Sequence, residues 1–239
     1  MFFDKYDRFY DTSETAANAD RLNLRFEAIF DENRDIFDGA RVLDIASHDG
    51  RWSLAALACG AESVVGIEAR PELAEQASAT LDHYGYGSDR ARFIAGDVHE
   101  VLLQQDFDVD VVLCLGFLYH TLRYNELMHG IRRANPKHIV LDTQARRMFG
   151  AEPVIFLNSE VLTYQGNAVA DEHSYGTRVL TGRPNLNAIR RMMQSYDYEV
   201  EAMSNWREII LDNLHMKRSV GDYAVRKRLT IRCVDTRRC

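Results

Sequence analysis

The chain has 239 residues, 46% of them hydrophobic, enough to bury the core of one ordinary domain, and no apolar run reaches the roughly 18–20 residues of a membrane-crossing helix. Fourteen Gly and only four Pro, with no G-X-Y period, exclude a collagen-like or disordered chain. A net charge of -7 argues against a nucleic-acid binder, whose phosphate contacts need basic surface, and the short runs Arg132-Arg133, Arg146-Arg147 and Arg226-Lys227-Arg228 read as solvated faces.

Residues 1–37 read as an N-terminal lid and helical segment, with helix predicted over 15–37 from the spacing of Leu22, Phe26, Ile29, Phe30 and Ile36. Asp38-Gly39 breaks it, and Arg41 to Ile45 is a short apolar strand. The loop SHDG and the helix WSLAALACG follow, with Gly60 as the expected C-cap. SVVGIE is a second strand, and Pro71 opens the next helix. RFIAGD, VDVVLCLG and KHIVLDT are strands three to five, with helices predicted over 99–105 and 125–134. Five strands, most followed by a helix, make βαβ units and a doubly wound, mostly parallel α/β sheet. Residues 144–183 lose the rhythm and read as a small cap insertion. Beyond them come a helix (LNAIRRMMQSY), a strand (YEVEAMS) and a last strand (RKRLTIRCV), the two strands expected as a hairpin at the sheet edge. The whole of 1–239 is expected as one domain, with seven strands and an antiparallel terminal one.

In such a sheet, ligands sit beyond the carboxyl ends of the strands, where strand order reverses. The loops there carry VLDIASHDG (42–50), an acid closing strand two (Glu68), GDVHE after strand three and LCLGFLYHTL after strand four. In that order they resemble the motifs of the class I S-adenosylmethionine-dependent methyltransferases, over residues 40–143. The resemblance implies a Rossmann-like methyltransferase fold and S-adenosyl-L-methionine as cofactor. It places Asp44, Ala46, Ser47 and Gly50 at the methionine end, Glu68 on the ribose hydroxyls, Asp97 and the Val98 N–H on the adenine, and Cys114, Leu115 and Gly116 under the sulfonium. Ala46 and His48 stand where the family has glycines, so the turn loses its easiest access to positive φ. The LYH sequence is shared with small-molecule methyltransferases and with enzymes that modify the tRNA wobble uridine. By that resemblance Tyr119 and His120 face the acceptor, with His120 as a general base.

The acceptor side is expected from parts outside the shared core: Tyr6 and Tyr10 as a lid, and Glu160, His173 and Tyr175 in the insertion as hydrogen-bonding groups. No metal is expected; Mg²⁺ is the weaker alternative, since Asp142 closes strand five while strand four ends in Leu115-Gly116 with no carboxylate. Cys59, Cys114, Cys233 and Cys239 show no CxxC and suit a reducing compartment. The N-terminus, alternating aromatic and charged residues, does not read as a signal peptide, and a cytoplasmic location is expected. The favoured function is O-methylation of a small-molecule hydroxyl, a sugar or secondary metabolite, without nucleic-acid or membrane partners and with a homodimer left open. The alternatives are a tRNA-modifying methyl or carboxymethyl transferase and a non-catalytic, cofactor-binding regulator.

Overall fold

The computed structural model describes residues 1–12, 19–146, 151–162, 169–170 and 172–238. Its helices are α1 (Arg8–Thr12), α2 (Ala19–Ile29), α3 (Arg51–Ala58), α4 (Pro71–His83), α5 (Val98–Gln104), α6 (Tyr124–Ala134), α7 (Leu186–Gln194), α8 (Trp206–Asp212) and α9 (Gly221–Ala224). Its strands are β1 (Arg41–Ile45), β2 (Ser63–Glu68), β3 (Ala91–Ala95), β4 (Val111–Leu115), β5 (His138–Gln144), β6 (Ile155–Val161), β7 (Arg178–Pro184), β8 (Tyr198–Met203) and β9 (Arg228–Asp235).

Seven strands form one sheet in the order β3-β2-β1-β4-β5-β9-β8. Strands β1 to β5 pair in parallel, and β9 runs antiparallel to both β5 and β8. The central strands are apolar without alternation because helices cover both faces. Successive side chains feed opposite cores: Val42, Val111, Leu113 and Val140 pack under α2, α3 and α4, while Leu43, Val112, Cys114 and Leu141 pack under α5, α6 and α7. A third cluster joins α2 to α8 and α9 through Leu24, Ala28, Trp206, Ile209 and Tyr223.

Local chemistry fixes the ends of the elements. Asp97 caps α5 by accepting from the backbone N–H of His99 and Glu100, and Asn185 caps α7 by accepting from that of Ala188. Pro71 opens α4 at a position where its missing N–H has no helical partner to lose.

Two expectations are corrected, and the insertion gains a structure. The helix predicted over 15–37 ends at Ile29 and gives way to a 3₁₀ stretch, Asp31–Ile36, in which Asn33 leaves helical geometry; residues 13–18 lie outside the described residues. The last two strands pair as expected but are not a simple hairpin. The segment between them folds into α8, a 3₁₀ stretch (Leu214–Val220) and α9, while β8 takes the edge and β9 lies inside. Within 144–183, β6 and β7 form an antiparallel pair of their own, in register from Ile155↔Pro184 to Val161↔Arg178.

Candidate active site

Strand order reverses between β1 and β4, and a cavity of about 1210 Å³ opens there at the carboxyl ends of the strands. Ala46 after β1, Glu68 at the end of β2, Asp97 and Val98 after β3, and Leu115 and Gly116 at the end of β4 all line it. Tyr119, His120, Glu160 of β6 and His173 also line it.

The turn after β1 keeps a left-handed path without the glycines. Ala46 has φ 55°, His48 φ 53° and Gly50 φ 81°. Neighbours over-determine this strained path. Ser47 N–H donates to the Ile67 carbonyl (2.9 Å) and His48 N–H to Glu68 Oε2 (3.0 Å). Arg51 bridges to Asp49 Oδ1 (2.6 Å) and to His48 Nδ1 (2.7 Å), and Thr12 Oγ1 donates to Asp49 Oδ2 (2.7 Å). Burial pushes the Asp49 carboxyl up, but the Arg51 charge and the Thr12 hydroxyl outweigh it and hold the group well below the usual range. With Arg51 donating to Nδ1, the proton of a neutral His48 ring sits on Nε2, which is buried and finds no acceptor among the described residues.

Glu68 is buried, and two backbone donors, from His48 and Arg70 (3.1 Å), fix its carboxylate. At Asp97, burial raises the carboxyl, while His99, the Glu100 N–H and Arg123 lower it more, so it stays below its ordinary value. His120 Nδ1 lies 2.7 Å from Glu160 Oε2, both side chains being largely enclosed (13% and 9% exposed). The Tyr119 hydroxyl accepts from Arg228 Nη1 (3.3 Å), and its ring lies 4.1 Å from that of His120.

Several predicted residues do not reach the cavity. Asp44 is buried beneath the turn, where its carboxylate accepts from Ser53 Oγ (2.7 Å); burial, reinforced by the charges of Glu68 and Asp49, pushes it up to about 7 against the opposition of Ser53 and Arg51. Ser47 Oγ is buried among the described residues without a partner. Gly50 packs on α4 and β3, where a Cβ would meet Leu81 and Ala77 at 2.9 and 3.0 Å. The Cys114 side chain belongs to the core under α6, its thiol pushed up to about 12 by burial. Tyr6 and Tyr10 do not cover the cavity. Tyr6 packs edge-on against Tyr84, and the Tyr10 hydroxyl donates to Asp4 (2.7 Å) and accepts from Asn23 (2.9 Å), because these rings complete an aromatic cluster on the N-terminal side of the core. Tyr175 is 95% exposed.

Asp142, weighed as a metal ligand, is fully buried and saturated. Oδ1 accepts from Arg228 Nε (2.7 Å) and Arg25 Nη2 (3.0 Å), and Oδ2 from the hydroxyls of Tyr223 and Thr230 (2.7 Å each). Burial raises its carboxyl, but the two guanidiniums and two hydroxyls hold it well below the ordinary value. Among the described residues no group of three or more His, Cys, Asp or Glu could hold a metal ion.

Sequence reasoning missed Arg21, Arg25 and Arg228, all of which line the cavity. A signal for Arg25 existed: it falls on the stripe of Leu22, Phe26 and Ile29, where a charge on an apolar face calls for a buried partner. Arg228, read from sequence as part of a solvated basic run, is instead buried, because β9 pairs with β5 and sets it on Asp142, a contact that exists only in three dimensions.

Residues 42–135, less than half of the chain, match the family described as a methyltransferase domain. Among solved structures, the N-terminal domain of EvdMO1, determined in the presence of SAH and D-fucose, aligns at 17% identity over 91% of this chain and 83% of that one (TM-score 0.59). The magnesium protoporphyrin IX methyltransferase of Synechocystis PCC 6803 with bound SAH aligns at 16% identity over 98% and 94% (TM-score 0.58). The 1,6-didemethyltoxoflavin-N1-methyltransferase of Burkholderia thailandensis, with its namesake compound and S-adenosylhomocysteine bound, aligns at 12% identity over 98% and 86% (TM-score 0.60). The fold is that of the class I methyltransferases. Searched against curated proteins, the chain finds no match. Within the class I methyltransferase fold, the cavity occupies the crevice at the strand-order reversal, and β6 and β7 are additions to the seven-stranded sheet.

Proposed function

We propose that the protein is an S-adenosylmethionine-dependent methyltransferase that methylates a hydroxyl of a small molecule, with His120 as general base. The fold and the match of residues 42–135 support the cofactor assignment, and the donor set fits it. Glu68, fixed by two backbone N–H groups, presents a carboxylate suited to a ribose diol. His48 Nε2 is a buried donor without an acceptor among the described residues, and Asp97 and Val98 line the same end. The cofactor supplies an electrophilic methyl group; the rest falls to this chain.

The observation that carries the acceptor chemistry is the pair formed by His120 and Glu160. Glu160 as a carboxylate accepts from Nδ1, which fixes the tautomer and leaves Nε2 as the nitrogen able to take a proton. When a hydroxyl is the nucleophile its proton must leave, and a positioned imidazole contributes roughly 10²–10⁴-fold to such a step. Glu160 acts through His120 and is therefore a positioning residue. Aligning the acceptor with the methyl group falls to the walls around the pair.

The test is a methyl-transfer assay with labelled S-adenosylmethionine against a panel of hydroxylated small molecules, run beside calorimetric titration with S-adenosylhomocysteine. Binding with turnover, reduced at least a hundredfold in His120→Gln, is the expected result. An undiminished rate in that variant removes His120 as base, and absence of binding removes the cofactor assignment.

A further inference from the structure

Three of the arginines that line the cavity sit beside carboxylates around the tips of β1 to β3: Arg51 has Asp49, Arg70 has Glu68, and Arg123 has Glu126 and Asp97. Under β5 and β9 the balance differs. Arg21 is matched by Asp222 in a two-pronged pair (2.8 Å each). Arg25 and Arg228 share the single carboxylate of Asp142, both bonding to the same oxygen, Oδ1. The other oxygen is filled by two hydroxyls and has no capacity left. Among the described residues, these three guanidiniums bond to two carboxylates, which leaves one positive charge in excess where Arg25 and Arg228 are 7% and 6% exposed.

These two side chains are also held for contact with the cavity. Arg25 rests on the face of Trp52, 4.8 Å from the ring centroid, and its Nε is buried with no acceptor among the described residues. Arg228 is flanked by the rings of Tyr119 and Tyr223, and its Nη2 lies 3.4 Å from where a Cβ on Gly116 would stand, so its outer edge meets the glycine at the tip of β4. Arg228 reaches Tyr119, and Tyr119 abuts His120. The excess charge and the imidazole thus lie on one side of the cavity, linked through one tyrosine. A buried, rigidly held guanidinium without a full complement of acceptors is a site for an anion, and a planar carboxylate matches its fork.

We propose that the acceptor is a hydroxy acid: its anionic group, a carboxylate, docks on Arg25 and Arg228 and delivers a hydroxyl to His120. This deepens the methyltransferase reading and rests on it for the identity of the second ligand. The same chemistry could come from the amino-acid carboxylate of the cofactor, and the experiment separates the two sources.

Crystals of the S-adenosylhomocysteine complex are soaked in sodium bromide and the anomalous signal is recorded at the bromine edge. The expected result is a bromide peak beside the Arg25 and Arg228 guanidiniums where they line the cavity while S-adenosylhomocysteine occupies the crevice, and loss of that peak in crystals of a folded Arg25→Met variant. A carboxylate of S-adenosylhomocysteine resting on the two arginines overturns the proposal, as does a pocket without bromide or a peak that persists in the variant. Should Arg25→Met fail to fold, the wild-type soak still decides. Should S-adenosylhomocysteine stay out of the crevice, the methyltransferase reading fails by itself, and the bromide peak continues to report on the anion site.

Discussion

Replacing Asp44 with asparagine should flatten the pH dependence of stability. Asp44 is 1% exposed at the base of the turn after β1, and its carboxyl is raised from 3.8 to about 7, by burial first and then by Glu68 and Asp49, against the opposing effects of Ser53 and Arg51. The folded value exceeds the unfolded one, so between about pH 4 and pH 7 the native protein keeps a proton that the unfolded chain has released. Native stability from this residue is therefore fully present below pH 4 and is lost as pH rises through 7. Every tenfold change in proton affinity is equivalent to about 1.4 kcal/mol, so the rise at Asp44 amounts to about 4 kcal/mol by pH 8. The asparagine amide cannot titrate, yet its oxygen can still accept the Ser53 hydroxyl. Urea denaturation of both proteins at pH 4, 5, 6, 7 and 8 should show near-equal stability at pH 4 and a growing advantage for Asp44→Asn, of the order of 4 kcal/mol, at pH 8. Parallel profiles would refute the claim that this carboxyl is raised inside the fold.

Three further outcomes follow from the site. Glu160→Gln removes the charge from a 2.7 Å bond to His120 and should lower kcat roughly ten- to a hundredfold, with KM changed little and the pH–rate profile displaced; a rise in KM alone would make Glu160 a binding group instead. Asp142→Asn leaves Arg25 and Arg228 without their shared counter-charge and should cost about 3–5 kcal/mol, read as a lower urea midpoint. Thr12→Val removes the donor that ties the N-terminal segment to Asp49, and a loss of about 1 kcal/mol should be read by the same method.

The strand–helix alternation through β5 was legible because each unit carries its own punctuation: Gly60 after α3, Pro71 at the head of α4, Asp97 at the cap of α5. The acids at the tips of β2 and β3 were legible for the same reason, since position along a strand fixes which end of the sheet a residue reaches. What one dimension did not disclose is which side chains meet across elements. Asp44 and Gly50 sit in the expected motif yet serve its packing, and the joining of Asp142 to Arg25 and Arg228 spans separations of 117 and 86 residues. The segment between β8 and β9 was misjudged because its helices are short and hold to α2 by tertiary contact.

The turn after β1 joins these two lessons. Its sequence departs from glycine at Ala46 and His48, which suggested a different path, yet both residues take the left-handed path with φ 55° and 53°. Backbone bonds to Ile67 and Glu68 and the Arg51–Asp49 lock impose that path from outside. If so, Ala46 carries strain of about 1–2 kcal/mol from its Cβ. Ala46→Gly relieves the strain while making the unfolded chain more flexible by about 0.4–1 kcal/mol, so the variant should be net stabilised by about 0.5–1 kcal/mol. It should also bind S-adenosylhomocysteine no more weakly than wild type, since the path is unchanged. A destabilised Ala46→Gly, the ordinary result of introducing glycine at negative φ, would mean that the turn is not left-handed in solution, and the proposed role of His48 and Glu68 in holding the cofactor would fall with it.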